Sequence, residues 1–276
     1  MRRRTAVVLS VLCSACAPKP DAAPSNARQE VTYTATDFAF AGPDSIAPGF
    51  TTIRLVNQGA QDHHLILGRL EDGKTLQDLM AFAKDHPGAE PPFLSWRGAA
   101  NGVATGGADG ATVDLPSGKY VALCFLPDPT DGRDHISKGM IKELVVAGSP
   151  GAASPPKAEG EIRLKDFSFE LPSLSAGTHT FRVINDGPQT HELQVVRLND
   201  GTTAEQYLAA FAPGAKGPPP GIMIGGPGAY SRGLEGYWTV TLTPGNYVLL
   251  CFVPDPADGK PHLMKGMVRE FTISAS

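Results

Sequence analysis

The chain has 276 residues, too long for a small disulfide scaffold and long enough for two ordinary domains. Its 24 Lys and Arg against 28 Asp and Glu leave a net charge of −4, which argues against nucleic acid as a partner, because a chain that tracks phosphates carries a basic surplus. With 31 Gly, 25 Pro and 41% hydrophobic residues, the composition fits short strands joined by many turns around a modest core.

The chain opens on Met1-Arg2-Arg3-Arg4, an apolar run from Thr5 to Leu12, and then Cys13-Ser14-Ala15-Cys16. A basic start, a short apolar stretch and small residues at a cleavage point describe an export signal over residues 1–16. The apolar run is far shorter than the ~20 residues a membrane-spanning helix needs. Small residues leading into Cys16 resemble a bacterial lipobox, although Leu12 stands four residues before the cysteine rather than three. That resemblance implies lipidation at Cys16 and a protein of the periplasm or cell envelope, touching the membrane only through its anchor. Residues 17–29 then read as a flexible tether.

Beyond the tether the sequence repeats itself. Asp37-Phe38-Ala39-Phe40 returns as Asp166-Phe167-Ser168-Phe169, and Ile53–Gly59 returns as Phe181–Gly187. Gly118–Pro129, which holds Cys124, returns as Gly245–Pro256, which holds Cys251. The offset stays at 127–129 residues, far longer than the ~20–50 of a solenoid unit, and marks two duplicated domains. Their expected spans are 30–148 and 161–276, with a Gly, Ala, Ser and Pro-rich linker at 149–160.

Within each half, strands are expected at Thr51–Val56 and Thr180–Ile184, each ending in an Asn-x-Gly turn. Return strands follow at His64–Leu67 and Leu193–Leu198, then Tyr120–Phe125 and Tyr247–Val253, then Ile141–Val146 and Val268–Ile273. One helix-like stretch interrupts each half, at Thr75–Lys84 and Thr203–Ala212.

Four of the seven histidines stand at repeated positions. His63 and His191 lie six residues past Asn57 and Asn185; His135 and His262 lie eleven past the cysteines and open His-x-x-x-Gly-Met, giving Met140 and Met267. Two imidazoles, a thiolate and a thioether form a donor set that suits a blue-copper electron-transfer site. Each half thus resembles a cupredoxin of the plastocyanin and azurin family, through Gly-x-Tyr-x-x-x-Cys, the His-x-x-x-Gly-Met loop and the upstream Asn-x-Gly…His element. The resemblance implies an all-β fold of two tandem cupredoxin-like Greek-key β-sandwiches, each with a short helical insertion. It implies up to two coppers, held by His63, Cys124, His135 and Met140 and by His191, Cys251, His262 and Met267, and exported redox proteins as electron donor and acceptor.

Two departures from the family pattern stand out. Ten residues separate each Cys from its following His, where two to four are usual, and the insert carries Pro-Asp-Pro and an Asp-Gly turn signal. The residue after the first His, commonly Asn in the family, is His64 in one half and Glu192 in the other. His64 also leaves the first ligand of the first half open between His63 and His64, although the alignment of the repeats favours His63. A disulfide between Cys124 and Cys251 is the competing use of the cysteines. Copper delivery and a metal-free binding module are the competing functions. No His-x-His pair is present, and four of the seven histidines are already assigned, which points away from a multicopper oxidase and toward a protein that is not an enzyme. His86 and His179 are expected at the surface, Trp96 and Trp238 in packing, and Met264 ranks below Met267 as a ligand.

Overall fold

The computed structural model describes residues 28–212, 214–215 and 217–275. The first half runs β1 (Gln29–Thr36), β2 (Ala39–Ala41), β3 (Ser45–Ile46), β4 (Gly49–Asn57), β5 (His63–Leu70), α1 (Leu76–Asp85), β6 (Leu94–Val103), β7 (Ala108–Leu115), β8 (Gly118–Leu123) and β9 (Ile141–Val146). The second half repeats the plan as β10 (Gly160–Lys165), β11 (Ser168–Glu170), β12 (Gly177–Asn185), β13 (Gln194–Leu198), α2 (Ala204–Ala209), β14 (Gly221–Gly225), β15 (Glu235–Leu242), β16 (Gly245–Leu250) and β17 (Val268–Ile273). The fold is all-β in both halves, with one short helix inserted in each.

Alternation along the strands builds the layers. In β4, Ile53 and Leu55 point inward and Arg54 outward, the period of two expected of a half-buried strand. β1 runs parallel to β4, and β10 parallel to β12, so the first strand of each half lies beside the strand that ends in Asn-x-Gly. Both helices begin at the residue where a capping box is complete: Thr75 with Asp78, and Thr203 with Gln206. Leu79 of α1 packs with Leu70, Phe93, Leu94, Val121 and Leu123, so the helix covers the outer face of its sheet.

The two halves do not hang apart on the segment between them. An eight-stranded sheet runs β11-β10-β12-β15-β7-β4-β1-β2, and a nine-stranded sheet runs β17-β16-β13-β14-β6-β5-β8-β9-β3. Both orders are near-mirrored about their centres, so equivalent strands meet at the joins: β7 pairs with β15, and β6 with β14. One apolar core extends through both halves, from Val31 and Leu55 to Val183 and Leu249. The strands that make the joins are absent from the sequence-based expectation. β6 (LSWRGAANGV) and β7 (ADGATVDL) carry Gly, Asn and Asp and lack the β-branched runs by which strands are recognised.

Polar groups seal the join. Asp109 of β7 is buried and accepts from Gly226 N at 2.6 Å and from Trp238 Nε1 at 3.1 Å. Gly225 has φ +107°, and a Cβ there would lie 2.0 Å from Asp109 Oδ2, so both backbone sign and space demand glycine. Gln194 exchanges bonds with the Gly102 backbone, its Nε2 donating to Gly102 O at 3.0 Å and its Oε1 accepting from Gly102 N at 2.8 Å. Trp238 is thus a packing residue, as expected, with its indole N–H spent on the join.

Candidate metal centres

Each centre is assembled from three places in its half. The Asn57 side chain clamps the Asn-x-Gly turn, accepting from Gly59 N at 2.9 Å and donating to Gln61 O at 2.8 Å and Val103 O at 2.9 Å. Asn185 does the same with Gly187 N, Gln189 O and Tyr230 O. The clamp delivers His63 and His191 into the interior, where both are fully buried. Glycine is obligatory in the turn: a Cβ at Gly59 would lie 2.5 Å from both Asp37 Oδ1 and His63 Nε2.

Cys124 and Cys251 follow β8 and β16 directly and are buried and free, so the chain carries no Cys124–Cys251 disulfide. The long insert after each cysteine is a hairpin. Asp128 N bonds to Arg133 O at 2.9 Å, Gly132 N to Asp128 O at 2.7 Å, and His135 N to Leu126 O at 2.9 Å. The ten extra residues therefore leave and return to one point, and His135 comes back beside Cys124. The second half has the same hairpin, with Asp255 N to Lys260 O at 2.9 Å and His262 N to Val253 O at 2.9 Å. A lysine from the next turn pins each: Lys138 pairs with Asp128 and Asp131, and Lys265 with Asp255 and Asp258. These pairs hold the four carboxyls below the usual carboxylate range, chiefly through the lysine for Asp128, Asp131 and Asp255 and through the Lys260 backbone N–H for Asp258.

Ligating atoms of His63, Cys124 and His135 all lie within 4.8 Å of one another, as do those of His191, Cys251 and His262. His63 Nδ1 and His135 Nδ1 face each other at 3.2 Å, with Cys124 Sγ 3.4 Å from His135 Nδ1. In the second half the spacings are 3.0 Å between the Nδ1 atoms and 3.5 Å and 4.0 Å from Cys251 Sγ to His262 and His191. The far nitrogens are committed elsewhere: His63 Nε2 to Asp37 Oδ1 at 3.1 Å and His135 Nε2 to Gln61 Oε1 at 2.9 Å. His191 Nε2 meets Asp166 at 2.5 Å and His262 Nε2 meets Gln189 at 2.9 Å. Anchoring the outer nitrogen fixes the tautomer and turns the Nδ1 lone pair inward, which is how proteins orient metal-binding imidazoles. Asp37, Gln61, Asp166 and Gln189 went unnoticed in the sequence as partners. Asp37 and Asp166 sit inside the first repeated motif, and that repetition was the available signal.

Met140 and Met267 are fully buried. Met140 accepts from Cys124 N through its carbonyl at 3.3 Å and donates from its N to His135 O at 3.0 Å, so its backbone bonds to two members of the group. Met267 N donates to His262 O at 3.0 Å. Met264 is 67% exposed and turned away. His64 stands outside the group: its Nε2 accepts from Phe125 N at 2.6 Å. Glu192 holds the equivalent place, accepting from Phe252 N at 2.9 Å. His86 is exposed, and His179 is half-buried with Nδ1 2.8 Å from Glu159.

The electrostatics suit a cation. Burial pushes the Cys124 thiol up to about 12 and the Cys251 thiol well above its ordinary value. Burial also lowers His63, His135 and His191, and lowers His262 to about 4 with help from the neighbouring His191. The imidazoles are therefore neutral donors, and a buried thiolate needs a positive partner to form. A soft ion with a preference for sulfur and imidazole supplies it, so the residues present fit copper.

No family model and no curated protein matches the chain. Among solved structures, an auracyanin from Roseiflexus castenholzii is 23% identical, with 42% of this chain and 96% of that chain covered at a TM-score of 0.30. A copper-containing nitrite reductase from Thermus scotoductus is 13% identical, covering 90% of this chain and 62% of that one at 0.25. A blue copper oxidase from Nitrosomonas europaea is 14% identical, covering 90% and 86% at 0.27. At such TM-scores the likeness is loose, and the two centres stand on their own geometry. The matches do correct one expectation. Two that span 90% of the chain are enzymes by name, so the reading of this chain as no enzyme is overturned. It rested on a histidine count and on missing catalytic motifs within one chain; the matches assign no reaction.

Proposed function

We propose that the chain is a copper-binding electron-transfer protein with a type 1 site in each half. His63, Cys124, His135 and Met140 hold one copper, and His191, Cys251, His262 and Met267 the other. The observation that carries this reading is the twin arrangement of two inward Nδ1 atoms and a buried cysteine sulfur, built identically from residues 127 or 128 apart. Bound copper supplies a one-electron couple that thiolate and imidazole tolerate in both oxidation states. The chain's own residues do the rest. Asp37, Gln61, Asp166 and Gln189 hold the imidazoles, the lysine-pinned hairpins return the second histidine, and the apolar surroundings exclude water.

The spans 30–148 and 161–276 are the two duplicated units, and 149–160 connects them. Residues 1–27, including Cys16, lie outside the described residues; we read them as a leader, a lipidated cysteine and most of a tether, which place the protein in the cell envelope with exported redox proteins as partners. Among the described residues no helix is long and apolar enough to cross a membrane.

Titrating the purified chain with Cu(II), while recording visible absorption and metal stoichiometry, tests the assignment. An intense thiolate-to-copper band saturating at two equivalents is expected. No band and no bound copper would leave a metal-free pair of β-sandwiches.

A further inference from the structure

The repeated Asp-Phe-x-Phe motif supplies more than Asp37 and Asp166. Asp37 anchors one histidine of the first centre, His63, and the next residue, Phe38, lies against the other. The Phe38 and His135 rings meet edge to face, with centroids 5.1 Å apart and planes at 71°. Lys138, from the turn that His135 opens, sets its Nζ over the Phe38 ring, 4.8 Å from the centroid. The second half repeats both contacts, Phe167 to His262 at 4.9 Å and 60°, and Lys265 over Phe167 at 5.4 Å. The second phenylalanine of each motif behaves differently: Phe40 and Phe169 are buried in the shared core as packing residues.

Phe38 therefore stands outside a ligand-type histidine. His135 is fully buried, Phe38 is half-buried, and the ammonium on the ring's face is itself held by Asp128 and Asp131. A cation over an aromatic face and an edge-to-face ring pair are both attractive, so the phenyl ring is gripped by two neighbours. Its backbone is strained. Phe38, in the turn between β1 and β2, has φ +65°, in the left-handed region that a bulky residue rarely enters and glycine adopts freely. Strain of this kind persists only where the surroundings over-determine it, and it collects at functional sites. The backbone of this turn favours glycine, and the position carries a phenyl ring instead.

We infer that Phe38 and Phe167 are positioning residues, each holding the second histidine of its centre in place and closing that side of the centre to water. A hydrocarbon ring is no metal ligand, so each acts through the imidazole it lies against. The outer nitrogens of His135 and His262 are tied to Gln61 and Gln189. One hydrogen bond leaves an imidazole free to tilt about it, and the phenyl ring removes that freedom. The ring thus sets how readily a bound ion leaves and how readily a reagent reaches the thiol. The effect on the ion rests on the copper reading above, whereas the closure is a property of the chain alone.

The test uses the full chain carrying Cys251→Ser, so that only the first half keeps its thiol. Two rates are read: transfer of bound copper to excess chelator and, in the metal-free chain, reaction of the Cys124 thiol with a small thiol reagent. Phe38→Ala is expected to speed each by about 10-fold or more, the scale of losing an imidazole's outer support. Phe38→Tyr keeps the ring and should restore the parent's rates. Phe38→Gly separates positioning from stability. It lacks the ring but relieves the backbone, so it should unfold at higher urea than Phe38→Ala and yet stay as fast in both rates. Phe40→Leu weakens the core beneath the same motif and should lower the urea midpoint without speeding either rate. Unchanged rates in Phe38→Ala, slow rates regained in Phe38→Gly, fast rates in Phe38→Tyr, or an equal effect of Phe40→Leu would each overturn the inference. A parent chain that binds no copper overturns the copper reading instead, and the thiol rate still decides the closure.

Discussion

The two centres share their ligand types, their anchoring Asp and Gln, and their hairpins, yet their surroundings differ. The first has neutral His64 behind its cysteine, and Phe125 lies half-open against Trp96. The second has Glu192 in that place, with Phe252 covered by Phe211 and the His191 backbone paired with Tyr230 from the join. Asp37 is 36% exposed where Asp166 is 20% exposed. The two halves thus share their ligand-type side chains and differ in what surrounds them, so the second centre is the more enclosed and carries the additional carboxyl.

The strongest way to break that comparison is to remove one thiol at a time. Cys124→Ser and Cys251→Ser should each abolish the copper-thiolate band of one half and leave the other's intact; loss of both bands from either change would show that the centres are not independent binding sites. Next in size, Asp37→Asn and Gln61→Ala should weaken copper binding in the first half by about 10- to 100-fold, the usual loss when an imidazole's outer partner is removed. Competition with a chelator measures it, and the second half should be unaffected.

The join gives a pH-dependent prediction. Burial raises Asp109 from 3.8 to about 7, so its contribution to stability is complete below the unfolded value and is lost as pH rises through about 7. Urea unfolding of the wild type relative to Asp109→Asn should therefore favour the wild type more at pH 4.5 than at pH 7.5, by at most about 4 kcal/mol. A difference that is flat with pH would mean that the carboxyl stays ionised at the join. Glu192→His should move the reduction potential of the second centre up toward that of the first, because it removes a carboxyl close to the thiolate. The smallest effect is local: Thr75→Ala and Thr203→Ala should each cost about 1 kcal/mol through loss of a helix cap, measurable by thermal unfolding.

Much of the site was legible in the order of residues. Ligand-type side chains recur with their spacing in both halves, and a repeated set is far less ambiguous than any single histidine. The helix starts were legible for a local reason, since Thr75 and Thr203 carry their capping partners three residues on. The choice between His63 and His64 was only partly legible, since the alignment of the repeats favours His63, the counterpart of His191. Adjacent residues on a strand point to opposite faces, and which face holds the cysteine depends on the packed sheets. The return of His135 across ten residues was likewise suggested by Asp-Gly but decided by the Asp128–Lys138 pair.

By itself, the sequence determined the duplication, the all-β character and the donor set, because these depend on residue type and short-range pattern. Only the tertiary structure decided that the halves fuse through both sheets, that Asp109 and Asn101 lie buried between them, and that Asp37 and Gln61 hold the imidazoles. Such relations join residues 20 to 130 positions apart, and they exist only when packing has excluded water and made each polar group find a partner.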